Sequence, residues 1–140
     1  MLNLGLQLER RLPASLLPCN LLIMNKNIFR EYDIRGIVGE DLNEKSVGEL
    51  AVGIGGFFVK NGAKKVAIGF DARESSPGFA DILTDGLNRV GIDVISIGRV
   101  PTPVLSHTVY PKDVDAGVMI TGSHNPSNYN GFKICLGKMT

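Results

Sequence analysis

From Ile28 onward, short apolar runs alternate with stretches of helical periodicity, and turn residues separate them. Strands that alternate with helices pack as an α/β layer around a mostly parallel sheet, because each helix must bury one face on the strands beside it. Asn43 is placed to cap a helix running to about Val59, in which Val47, Leu50, Ala51, Ile54 and Phe58 recur at helical spacing. Gly62 falls just past its end, a position that favours glycine. Lys65 to Phe70 reads as a short apolar strand. Ser76-Pro77 opens a second helix, to about Val90, with Gly91 as its terminator. Ile92 to Ile97 is the next strand, and Thr102-Pro103 opens a short helix to about Tyr110. Ala116 to Ile120 reads as a buried strand and Gly131 to Leu136 as a further one. In open α/β sheets, ligands bind beyond the carboxyl ends of the strands. Ser123 follows the Ala116–Ile120 run at such an end.

The chemistry of the chain concentrates in Thr121-Gly122-Ser123-His124-Asn125-Pro126-Ser127-Asn128-Tyr129-Asn130-Gly131-Phe132-Lys133. A hydroxyl nucleophile on a turn is followed by an imidazole, a carboxamide and a helix-stopping proline. Small residues let backbone N–H groups approach an anion, and Lys133 adds positive charge. From Ala116 to the end the chain has two lysines and no carboxylate, so nothing in the segment itself repels a phosphate. A polar turn between two strands would use the same residue types.

Length and composition exclude some alternatives. A chain of 140 residues is one domain by the length prior, and 44% hydrophobic with 21% charged residues suits a globular protein. The net charge is +1, with no basic stripe interleaved with aromatics, so no nucleic-acid partner is expected. No apolar run approaches the length of a membrane span, so no membrane partner is expected either. Cys19 and Cys135 lack metal-ligand spacing, which suits a cytoplasmic location.

Residues 1–25 differ from the rest: Leu2, Leu4, Leu6 and Leu8 precede Arg10 and Arg11, and Pro13 and Pro18 interrupt the apolar pattern. That order is wrong for a signal peptide. The segment reads as an N-terminal extension, disordered or translated from a start upstream of Met24, with an amphipathic docking segment as the alternative. Residues 26–140 form the folded domain.

Several familiar motifs fail. Gly53-Ile54-Gly55-Gly56-Phe57-Phe58 has phenylalanine where a dinucleotide turn needs its third glycine, and it lies inside a helical pattern. These glycines read as allowing close helix packing. Gly131 to Met139 is one residue too long for a Walker A loop and ends in methionine. Thr121-Gly122-Ser123-His124-Asn125 is not a hydrolase nucleophile elbow, and a histidine adjacent to its serine lacks an orienting partner. His107 reads as a surface or half-buried residue of the short helix. Phe29-Arg30-Glu31-Tyr32-Asp33-Ile34-Arg35-Gly36-Ile37 reads as an exposed edge strand of mixed charge, or as a site where the fork of Arg35 meets phosphate oxygens beside Gly36. Local salt bridging and helix capping account for Asp71-Ala72-Arg73-Glu74-Ser75.

Taken together, the segments Tyr32-Asp33-Ile34-Arg35-Gly36, Gly69-Phe70-Asp71-Ala72-Arg73-Glu74-Ser75, Gly98-Arg99-Val100-Pro101-Thr102-Pro103, Thr121-Gly122-Ser123-His124-Asn125-Pro126 and Asn130-Gly131-Phe132-Lys133-Ile134 resemble the α-D-phosphohexomutases, in the phosphomannomutase/phosphoglucomutase branch. The resemblance covers about residues 28–137 and implies a three-layer α/β/α domain with a mixed, mostly parallel sheet, the first of the family's four. It implies that Ser123 carries a phosphoryl group, exchanged through a hexose 1,6-bisphosphate between C1 and C6 of mannose or glucose phosphates. Arg35 and Lys133 would line the phosphate pocket, with Lys133 also assisting proton transfer. Tyr32 would contact the ligand, and His124 and Asn125 would flank the serine. The Asp71–Arg73 turn and Pro101-Thr102-Pro103 would be scaffold. The family's Mg2+ would meet this chain only through Ser123 or its phosphate, because no Asp-x-Asp-x-Asp run exists here. The other domains, carrying the remaining metal ligands and the sugar-binding loops, would lie C-terminal to Thr140. The chain is therefore expected to be a fragment, a truncated product or one domain of a larger protein, inactive alone. A non-catalytic anion-binding or partner-docking module is the alternative.

Overall fold

The computed structural model describes residues 24–109 and 114–137. The proposed extension before Met24, Cys19 and the end of the short helix at Tyr110 lie outside them. Five strands, β1 (Ile34–Ile37), β2 (Lys65–Phe70), β3 (Asp93–Arg99), β4 (Ala116–Ile120) and β5 (Tyr129–Leu136), form one sheet in the order β1-β5-β4-β2-β3. β2 pairs in parallel with both β3 and β4, whereas β5 runs antiparallel to β4 and to β1. The sheet is thus mixed: its parallel pairs are built by helical crossovers, the Ser123 turn joins β4 to antiparallel β5, and β1 pairs with β5 across the length of the chain. β1 is an edge strand, as its mixed charges suggested, but Ile34 within it is fully buried.

Helices α1 (Glu44–Lys60), α2 (Ser76–Arg89) and α3 (Thr102–Val109) complete three layers. Successive strand residues face opposite sides. Val66 and Ile68 of β2 and Ala116, Val118 and Ile120 of β4 pack with α1 and α2 through Ile54, Phe58, Leu83 and Leu87. Ala67 and Met119 join Leu105 and Val109 of α3 on the other face. β4 is buried along its whole length, which leaves its register little freedom.

Local signals explain the helix ends. The Asn43 side chain accepts from the Ser46 N–H at 3.0 Å, and the Ser46 hydroxyl accepts from the Asn43 N–H at 2.9 Å, a reciprocal capping box. Gly62 and Gly91 take φ values of 76° and 85° just past α1 and α2, where a side chain would be strained. α2 differs from the expectation by one residue: Ser75 is its N-cap and makes no side-chain cap, while the Ser76 hydroxyl turns to Asp71 at 2.6 Å.

Gly55 of α1 serves packing, as its helical context suggested. A Cβ on Gly55 would lie 2.7 Å from Val90 Cγ2, and one on Gly86 of α2 would collide with the Ala51 side chain. The Gly86→Leu variant is expected to lose about 2–3 kcal/mol of stability through overpacking, read as a lowered urea midpoint with an unchanged slope.

Candidate active-site loop

The paired parallel strands β2 and β4 end level with each other, because Phe70 and Ile120 are register partners. Two turns therefore leave the same sheet edge side by side, Asp71–Ser75 and Thr121–Asn128. The Asp71 N–H donates to the Ile120 carbonyl at 2.9 Å, and the Thr121 N–H donates to the Gly131 carbonyl at 2.9 Å.

Ser123 has φ 53°, the only left-handed non-glycine residue among those described. Its N–H donates to the Thr121 hydroxyl at 2.9 Å, and the Asn125 N–H donates back to the Gly122 carbonyl at 3.0 Å. The serine is half-buried, His124 is exposed and Asn125 is half-buried. A left-handed backbone here costs conformational energy, so neighbouring contacts must hold it.

Those contacts come from a residue that local reading assigned to its own turn. The Arg73 guanidinium donates through Nη1 to the carbonyls of Pro126 at 2.6 Å and Tyr129 at 2.9 Å. Through Nη2 it donates to Asn125 at 2.7 Å and Ser123 at 3.3 Å. Its Nε meets Asp71 Oδ2 at 3.2 Å, the expected local salt bridge. Gly122 leaves room for the guanidinium, since any Cβ there would run into it. Asp71 also accepts from the Gly122 N–H at 3.2 Å. A carboxylate therefore adjoins the loop after all, supplied from another strand and paired with Arg73. Buried Asn130 extends the network, donating to Ser75 Oγ at 2.8 Å and Ser76 Oγ at 3.0 Å while its Oδ1 accepts from the Gly131 N–H.

Arg35 and Lys133 share one face of the sheet. Arg35 is the register partner of Gly131, and Lys133 lies two residues along β5 on the same side, a diagonal spacing of about 7–8 Å. Thr121 joins the same level through its bond to Gly131. Gly131 must be glycine, because a Cβ would strike the Ile34 carbonyl. Arg35 forms an ion pair with Asp33, and its Nε is buried without a hydrogen-bond partner. Tyr32 is 60% exposed at the entry to β1. Its hydroxyl bonds Glu31, whose hydrogen bond and charge raise the phenol above its ordinary pKa. His107 is exposed on α3.

Among the described residues no group of three or more His, Cys, Asp or Glu side chains could hold a metal ion. The arrangement presents one hydroxyl on a fixed turn at the carboxyl edge of the sheet, with two cations on a neighbouring face. A three-layer α/β/α domain with a fixed serine turn at its sheet edge is the class this defines.

Comparison with known proteins specifies the family. The family model described as phosphoglucomutase/phosphomannomutase, alpha/beta/alpha domain I, matches residues 26–139. A phosphomannomutase/phosphoglucomutase of Pseudomonas aeruginosa is 43% identical over 114 residues, 81% of this chain and 25% of that protein. A phosphoglucomutase of Neisseria gonorrhoeae is 40% identical over 114 residues, again 81% of this chain and 25% of that protein. The crystal structure of a phosphoglucomutase/phosphomannomutase family protein from Burkholderia thailandensis superposes with a TM-score of 0.78 at 35% identity, over 81% of this chain and 27% of that one. The chain belongs to the phosphoglucomutase/phosphomannomutase family, as its domain I, and spans about a quarter of the length of the relatives it matches.

Burial pushes the Asp71 carboxyl up, but hydrogen bonds from the Ser76 hydroxyl, the Arg73 N–H, the Thr121 hydroxyl and the Gly122 N–H outweigh it and hold the pKa below the ordinary value. A lowered folded pKa contributes stability that is present above the unfolded value and lost as pH falls through the folded one. The urea midpoint is expected to drop as pH falls below the ordinary carboxylate value of about 4, and to drop less in Asp71→Asn. Equal slopes in both proteins would exclude Asp71 as the group responsible.

Proposed function

We propose that Ser123 is the phosphoryl carrier of a hexose-phosphate mutase, and that this chain supplies the carrier domain of that enzyme. The observation that carries the reading is the left-handed Ser123 turn, held at the carboxyl edge of the sheet beside a face bearing Arg35 and Lys133.

In the forward half-reaction the bond from phosphorus to Ser123 Oγ breaks and a bond to a sugar hydroxyl oxygen forms. The hydroxyl loses its proton, and Ser123 becomes the leaving alkoxide or hydroxyl. The resulting hexose 1,6-bisphosphate turns over and returns its other phosphoryl group to Ser123. Phosphate thereby moves between C1 and C6 of mannose or glucose phosphates. Such transfer depends on positioning and charge stabilisation. Arg35, paired with Asp33 through Nη2, donates from the rest of its guanidinium to phosphoryl oxygens. Lys133 adds charge and holds or moves the proton at the attacking or leaving oxygen. His124 and Asn125 flank the serine, and Tyr32 is the outermost ligand contact. Mg2+ would neutralise charge on the transferring group. From this chain Ser123 or its phosphate would offer it an oxygen, and its other ligands, like the groups that choose the sugar, would come from further domains. The setting is cytoplasmic carbohydrate metabolism.

Two outcomes test this. The purified 140-residue chain is expected to show no interconversion of mannose or glucose 1- and 6-phosphates; robust turnover would overturn the dependence on further domains. A chimera joining this chain to the remainder of the Pseudomonas aeruginosa relative is expected to gain one phosphoryl group from glucose 1,6-bisphosphate, seen as intact mass, and Ser123→Ala none. Equal labelling of the variant would remove Ser123 as carrier.

A further inference from the structure

We propose that Arg73 is the positioning residue for Ser123, acting through the loop backbone and never through the phosphoryl group. The inference rests on the reading of Ser123 as carrier. It stands on donor accounting. A guanidinium has five N–H donors in a rigid planar fork. Here Nε is committed to Asp71, and the two terminal nitrogens reach the carbonyls of Pro126, Tyr129, Asn125 and Ser123. No donor is left for a phosphate oxygen. Arg35 is the opposite case: its Nε is buried and unpartnered beside the Lys133 face. The two arginines thus divide the work, one holding the loop and one facing the ligand.

The carbonyls that Arg73 gathers span Ser123 to Tyr129, the whole turn. Ser123 alternates between a neutral hydroxyl and a group of about −1.5 to −2 charge. Each change pulls the loop toward its cations. A guanidinium fixed to four carbonyls holds the backbone in both states, and Gly122 is the space it needs. A lysine keeps the charge but brings one ammonium with three donors, and cannot bridge the turn.

Two variants separate positioning from bulk stability. Arg73→Lys removes the fork, and Gly122→Ala displaces the guanidinium while leaving its charge. In the 140-residue chain, hydrogen exchange of the 121–131 segment is expected to rise about tenfold in both, with β2 and β4 protection unchanged. In the chimera, the rate of Ser123 phosphorylation at saturating bisphosphate is expected to fall about 100-fold, with the half-saturating concentration unchanged. Unchanged loop exchange, or a uniform rise over the whole chain, would overturn the proposal. A raised half-saturating concentration at an unchanged maximal rate would overturn it too, by making Arg73 a ligand contact. Failure of the carrier reading is distinct: wild-type chimera would then take up no phosphoryl group at all.

Discussion

The parallel pairing of β2 with β4 is the constraint on which the rest of this structure depends. It brings the turn after Phe70 beside the turn after Ile120 and closes a separation of about fifty residues. β4 cannot slide, because both of its faces are packed. Ala116, Val118 and Ile120 fill the layer beneath α1 and α2, while a Cβ at Gly117 would press on Val109 and Leu105 of α3. A slip of one residue would exchange those faces and carry Ser123 to the wrong level. Core packing therefore fixes the position of a polar loop that has little apolar surface of its own.

Once the turns adjoin, a polar network takes over. Asp71 accepts from Ser76, Gly122 and the backbone and side chain of Arg73; Arg73 donates to the loop carbonyls; Asn130 closes the ring by donating to Ser75 and Ser76. A buried polar group left unpaired costs more than an apolar one, so such a network is favourable only when nearly complete. Completeness also explains the glycines. Gly122 yields to a guanidinium and Gly131 to a neighbouring strand, two close approaches that any side chain would block.

The elements were legible because their signals are local. Asn43 with Ser46, the repeat of Val47, Leu50, Ala51, Ile54 and Phe58, and the short run from Ala116 to Ile120 each specify structure within a few residues. Ser123 was legible because its turn follows a buried strand. Arg73 was not. Its motif is self-consistent as a local salt bridge with Asp71, and nothing within it announces partners about fifty residues away. The one available hint was that both turns follow strands expected to be parallel, which predicts proximity but not identity. The same limit hid Asp71 from the Ser123 segment, whose own sequence lacks carboxylates; the pairing of Arg35 with Asp33, two residues apart, lay within a segment already read as one of mixed charge.

That last pairing bears on what the domain can do unaided. The order of the Ser123 loop is self-contained, since every group that holds it lies between Asp71 and Gly131 of this chain. Its charge balance is not. On the carrier reading, a phosphoserine brings about −1.5 to −2 charge. Lys133 and Arg35 lie on one face of the neighbouring strands, but Arg35 already shares its charge with Asp33. Arg73, though cationic, has every donor committed to the backbone and Asp71. The remaining positive charge on that face amounts to roughly one unit, less than the phosphoserine carries. On that reading a further cation would complete the charge balance, and it would have to be supplied from outside the described residues. The carrier reading and the charge of the loop's own neighbours thus point the same way: a phosphoserine here would draw on positive charge from beyond this loop.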